Sequence, residues 1–125
     1  MKKNKIVLLA EEDGYVVEII SRMLERFPGL ELIHAADAAS AFAALEERSP
    51  DIALLDIYMP GVSGLELLQK AREKNPKICA IMITGPSDDE LGRKAVREGA
   101  WDFVSRPAEL DRLQNLLELR LMINP

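Results

Sequence analysis

Short apolar runs alternate along the chain with segments whose apolar residues recur every three or four positions. The runs at 5–10, 31–35, 52–55 and 79–84 are rich in Ile, Leu and Ala and, with the shorter run at 102–105, read as strands. Between them, Val16, Ile19, Ile20, Met23, Leu24 and Phe27 share one helical face. Asp37 stands ready to cap a second helix whose apolar face is Ala38, Ala41, Phe42 and Leu45. Ser63-x-x-Glu66 and Ser87-x-x-Glu90 are capping-box patterns that predict the starts of a third and a fourth helix. A fifth helical pattern covers 109–122. No repeat, low-complexity segment or linker breaks this order.

Strict alternation of strand and helix predicts a doubly wound α/β fold: a parallel sheet with right-handed crossovers and helices on both faces. Five strands favour the flavodoxin-like order 2-1-3-4-5, in which the first and third strands are neighbours at the switch point. Two of the buried runs end in acids. The first closes on Glu11-Glu12-Asp13, and the third, Ile52-Ala53-Leu54-Leu55, closes on Asp56. The predicted order brings those acids together, with Thr84 and Arg106 at the ends of the fourth and fifth strands around the same crevice. Nothing comparable marks the strand starts.

Composition narrows the reading. A chain of 125 residues, 48% of them hydrophobic, supports one core and is expected to form a single domain over 1–125. A net charge of −5 argues against a nucleic-acid surface. The one cysteine, Cys79, precludes an internal disulfide and reads as a small apolar core group. The apolar stretches are too short to cross a bilayer, so a cytoplasmic location without membrane contact is the expectation.

The acids suggest chemistry. Carboxylates side by side need a cation to stay ionised. An oxygen-only set without Cys or a nearby His selects a hard ion, Mg2+ over Zn2+. Asp56 then serves as the nucleophile that accepts a phosphoryl group as an acyl phosphate. The metal, the Arg106 guanidinium and the Thr84 hydroxyl would share the charge of the transferred group. Other polar residues have plainer readings. Asp51 caps or turns the chain after Pro50, and His34 has no partner at ligand spacing. Trp101 and Phe103 are expected to be partly packed.

On these residues the chain resembles the receiver domains of bacterial two-component response regulators, over essentially its whole length. The resemblance rests on the acids after the first strand, on Asp56-Ile57-Tyr58-Met59-Pro60-Gly61-Val62-Ser63-Gly64, on the strand ending at Thr84, on Gly99-Ala100 and on Ser105-Arg106-Pro107. It implies that Asp56 is the phosphoacceptor, supplied by a histidine kinase or a phosphotransfer protein. It implies further that Glu11, Glu12, Asp56 and the backbone carbonyl of Tyr58 hold Mg2+. Thr84 would move toward the phosphoryl group, and Phe103 would be the aromatic whose rotamer tracks activation. Such a domain is no enzyme beyond taking its own phosphoryl group from a donor and losing it again.

Three positions depart from the family's pattern. Arg106 stands where Lys is usual, Glu12 where Asp is usual, and Phe103 where Tyr is frequent. Arginine keeps the charge but is larger and planar. The register also leaves Asp13 open as the second acidic ligand. An alternative is a pseudo-receiver, an interaction module signalling without efficient phosphorylation, which Arg106 and Glu12 keep in play. A haloacid-dehalogenase-type hydrolase would need Asp where Tyr58 stands. A flavodoxin-type binder would need a phosphate loop where the acidic triplet stands.

Two helices bear on partners. The fourth has only Leu91, Ala95 and Val96 as apolar anchors and contains Gly92, which costs about 1 kcal/mol relative to Ala. It is expected to be the least firmly held. The last helix carries Leu110, Leu113, Leu116, Leu117, Leu119, Leu121, Met122 and Ile123, more than one stripe needs. Either it packs deeply or it meets another subunit or domain. The resemblance implies a possible homodimer through the fourth and fifth helices and the fifth strand. Asn124-Pro125 marks either a terminus or the approach to a C-terminal effector domain.

Overall fold

The runs ending in acids pair as neighbours in the interior of a five-stranded parallel sheet. The computed structural model describes residues 5–123, so Asn124-Pro125 lies outside the described residues. The elements are β1 (Lys5–Ala10), α1 (Gly14–Leu24), β2 (Leu30–Ala35), α2 (Ala38–Arg48), β3 (Ile52–Asp56), β4 (Tyr58–Met59), β5 (Val62–Ser63), α3 (Gly64–Lys74), β6 (Cys79–Thr84), α4 (Asp89–Arg97), β7 (Asp102–Ser105) and α5 (Leu110–Ile123). The sheet order is β2-β1-β3-β6-β7. With the small β4–β5 hairpin left aside, this is the 2-1-3-4-5 order that the alternation predicts. The hairpin itself is an addition, two residues per strand, that the alternation does not predict.

The two central strands β3 and β6 are buried throughout, as expected where helices cover both faces of a parallel sheet. One face packs against α2, α3 and α4 through Ala41, Leu45, Leu67, Leu68, Ala71 and Ala95. The other packs against α1 and α5 through Val16, Ile20, Met23, Leu24, Leu113 and Leu117. Cys79 lies in that second core, and burial pushes its thiol up to about 11.

Local signals hold in part. Asp37 Oδ1 accepts the Ser40 amide at 2.8 Å and caps α2, and Ser63 Oγ accepts the Glu66 amide at 3.2 Å and caps α3. The expected Ser87 cap does not form. Asp88 is the N-cap of α4, makes no capping bond to the helix, and instead accepts the Gly85 amide at 3.2 Å. Val96 is not an anchor, being 41% exposed, while the helix buries Gly92 and Ala95. Phe27 lies beyond the end of α1. In α5 the inner stripe is Leu110, Leu113 and Leu117, whereas Leu119, Met122 and Ile123 are exposed. Asp51 ties the sheet together, its Oδ2 accepting the Ile6 amide at 2.8 Å.

Candidate functional site

Main-chain bonds continue the strand ladders one step past three strand ends. The Glu11 amide donates to Ala35 O at 3.0 Å, Ile57 to Ile83 O at 2.9 Å, and Arg106 to Thr84 O at 2.9 Å. The strands therefore deliver Glu11, Asp56, Thr84 and Arg106 to the same end of the sheet. Glu11, Asp56 and Thr84 are the buried polar side chains among the described residues. Burial of such groups is costly unless they are paired or serve a purpose.

Glu11, Asp56 and Arg106 form one cluster. Arg106 Nη1 lies 3.0 Å from Glu11 Oε2 and 3.7 Å from Asp56 Oδ2. Glu11 Oε2 also accepts the Asp13 amide at 3.1 Å, and Asp56 Oδ1 accepts the Tyr58 amide at 3.1 Å. Glu11 Oε1 is buried with no hydrogen-bond partner. Burial and the neighbouring Asp56 push the Glu11 carboxyl up to about 7, against the opposing pull of the Asp13 amide and Arg106. A proton shared with Asp56, or a cation, would satisfy the orphaned oxygen. Two carboxylates with no nitrogen or sulfur donor fit a hard divalent ion that keeps several waters. Among the described residues no three His, Cys, Asp or Glu side chains converge as a cage.

The other candidates stand further out. Glu12 is exposed and makes no side-chain hydrogen bond or ion pair among the described residues. Asp13 is committed elsewhere: its Oδ1 accepts the Tyr15 amide at 2.9 Å as the cap of α1. Tyr58 is 58% exposed beside the crevice. The Thr84 hydroxyl donates to Val104 O at 3.3 Å, bonded to β7 rather than to the acids. Phe103 is half-buried against α4, as is Trp101 against the other core.

Two supporting residues escaped the sequence reading. His34 is no ligand, yet its Nε2 lies 2.8 Å from the backbone carbonyl of Glu11 and tethers the acid's main chain from β2. The signal was the pairing of β1 with β2, which sets Leu9 beside His34. Gly64 lets α3 begin flush against β3. Its amide donates to Ile57 O at 2.8 Å, and a Cβ placed there would lie 2.4 Å from Asp56 O.

Comparison with known proteins decides the family. The family model of the response regulator receiver domain matches residues 7–118. The chain belongs to the response regulator receiver domains. It is 39% identical over 112 residues to the transcriptional regulatory protein MalR of Bacillus subtilis, covering 89% of this chain and 48% of that protein. The chain thus spans about half the length of that curated relative. A CheY-like receiver domain of Methanospirillum hungatei superposes with a TM-score of 0.83 at 29% identity, covering 95% of this chain and 94% of that one. The receiver domain of NtrX from Brucella abortus does so with a TM-score of 0.81 at 30% identity, covering 95% and 99%. As a receiver, the chain is a signalling module of two-component type. No helix among the described residues is long and apolar enough to cross a membrane.

Proposed function

We propose that this receiver, a single domain over 1–125, accepts a phosphoryl group on Asp56. The supporting observation is the buried Asp56 carboxylate beside a buried Glu11 whose Oε1 lacks a partner, with Arg106 bridging the two acids. An Asp56 oxygen attacks the phosphorus of a phosphohistidine on a kinase or phosphotransfer protein. The P–N bond breaks, the imidazole leaves, and an acyl phosphate remains on Asp56. Glu11 and Asp56 would hold Mg2+, completed by Glu12 and the Tyr58 backbone carbonyl. When bound, the ion supplies positive charge for the transferred group.

Arg106, already at both acids, turns its guanidinium from Glu11 toward the phosphoryl oxygens, where its planar fork offers two donors. Thr84 exchanges its bond to Val104 O for one to the same oxygens. That exchange transmits the change to β7, where Phe103 sits, and so to the surface of α4, β7 and α5. The exposed outer residues of α5 suit that surface to a second copy or to a C-terminal effector domain. A cytoplasmic location follows from a kinase as donor. The chain turns over no separate substrate.

Incubation with Mg2+ and acetyl phosphate, read by intact mass beside Asp56→Asn, tests this. Gain of one phosphoryl group by the wild type alone is expected. No gain by a folded wild type would instead favour an interaction module independent of phosphorylation.

A further inference from the structure

Gly92 sits in the middle of α4, where glycine is unfavourable for backbone entropy, and yet it is buried. A glycine inside a helix calls for a packing reason. Here the reason is Phe103. A Cβ placed on Gly92 would lie 2.4 Å from Phe103 Cδ2, 2.5 Å from Cγ and 2.7 Å from Cε2. Real side chains do not approach so closely, so the ring occupies the volume that any other residue at this position would fill. The helix backbone is bare at that point, and the face of α4 packs directly on β7.

The backbone of Phe103 is held on its own strand. Residue 103 pairs with Met82 of β6, its carbonyl accepts Arg112 Nη1 at 2.6 Å, and its amide donates to Asp102 Oδ1 at 2.7 Å. The side chain is therefore the part that can answer a displacement of α4. The helix, for its part, has no side-chain bond at its N-cap and buries only Gly92 and Ala95. Ala95 is fully buried and Leu91 and Phe103 pack against the same core, so the ring and the face of α4 that carries Gly92 are fitted to each other within it.

We propose that Gly92 is a positioning residue: its bare Cα is the seat that holds the Phe103 ring inward and ties the place of the ring to the place of α4. The ring cannot stay where it is if position 92 carries a side chain, because the two would claim the same volume. The consequence for signalling rests on the proposed phosphoacceptor reading; the seat itself does not.

Gly92→Ala is compared in the wild-type and the Phe103→Ala backgrounds by thermal denaturation of the full chain. With Phe103 present the substitution should lower the midpoint, and with Phe103→Ala it should raise it, because only the helix-propensity gain then remains. A rise in both backgrounds would overturn the seat. Proton NMR of the unmodified wild type supplies a check that needs no variant to fold. Cross-relaxation between the Phe103 ring protons and the Gly92 Hα is expected, and its absence would equally overturn the proposal.

Phosphoryl uptake from acetyl phosphate with Mg2+, followed by intact mass, separates a tie to the site from packing alone. Gly92→Ala should change the rate of uptake on Asp56 several-fold, and Gly92→Ala with Phe103→Leu should return it toward the wild type. An unchanged rate beside a reversed stability effect would overturn the tie to the site. No uptake by the wild type, with the reversal and cross-relaxation intact, would instead remove the phosphoacceptor reading and leave the seat standing.

Discussion

Helices α3 and α4 cover the same face of the sheet, follow strand ends that carry site residues, and are held quite differently. α3 is capped by Ser63, buries Leu67, Leu68 and Ala71, and begins with Gly64 pressed against the main chain of Asp56. α4 has no side-chain cap, buries Gly92 and Ala95, and leans on one aromatic ring. The difference divides the crevice by task. The side that presents Asp56 is locked by backbone contacts that cannot yield without moving β3. The side reached through Thr84 and Phe103 is locked by side chains, which can turn. Under the proposed phosphoacceptor reading, such an asymmetry would hold Asp56 still while passing a change outward, since mobile elements come from the weakly held part of a structure.

The sharpest way to break this contrast is to add one methyl group on each side. Gly64→Ala sets a Cβ against Asp56 O and the Cα of Ile57, 2.4 and 2.7 Å away. These are backbone atoms of the central strand and the residue after it, so the expected loss is about 3 kcal/mol or more. Gly92→Ala meets only a ring able to swing outward, and its propensity gain offsets part of the clash, so a net loss of about 1 kcal/mol is expected. Urea denaturation of both variants checks the order. Equal losses would mean that α4 is as firmly seated as α3.

Charge in the crevice gives the next effect in size. Glu11 titrates at about 7 in the folded chain against an ordinary value of 4.5. The folded state then binds the extra proton between those values, so this contribution to stability is fully present below pH 4.5 and is lost as pH rises through about 7. A tenfold change in proton affinity is worth about 1.4 kcal/mol, so a loss on the order of a few kcal/mol is the expectation. Urea midpoints in EDTA from pH 4.5 to 8 should fall for the wild type and stay flatter for Glu11→Gln. Mg2+ added at pH 8 should recover stability in the wild type more than in that variant. A wild-type profile as flat as that of Glu11→Gln would show that the buried carboxylate is already fully compensated by Arg106.

Much of this architecture is legible in the residues because burial and period state the same thing. Ile52-Ala53-Leu54-Leu55 is apolar at every position, which only a strand covered on both faces requires, and Asp56 at its end stands out for that reason. Glu11 is found by the same logic. What escapes is whatever depends on partners across the chain. The Thr84 hydroxyl faces Val104 O only because β6 pairs with β7 in the observed register. His34 matters through the carbonyl of Glu11, a contact made by the β1–β2 pairing rather than by any motif. Ser87-x-x-Glu90 matches a capping box letter for letter, yet Asp88 takes the cap position while its carboxylate serves the Gly85 turn. Gly92 shows as a weak point in a helix, and its use appears only when the ring of Phe103 is set beside it.

The two helix starts offer the smallest effect and the most local one. Ser63 Oγ satisfies the Glu66 amide at the first turn of α3, and Ser63→Ala should cost about 1 kcal/mol. Asp88 makes no such bond to α4, so Asp88→Ala should cost about 0.5 kcal/mol or less, through the lost bond to Gly85. Amide hydrogen exchange reads the same contrast residue by residue. In the wild type the first-turn amides of α4 should exchange faster than those of α3, because no side chain caps them. Ser63→Ala should bring the first turn of α3 toward the exchange rate of α4, whereas Asp88→Ala should leave α4 nearly unchanged. Slow exchange at the start of wild-type α4 would mean that this helix is held by something other than Ala95 and the Phe103 ring, and the division of the crevice into a fixed and a yielding side would fail.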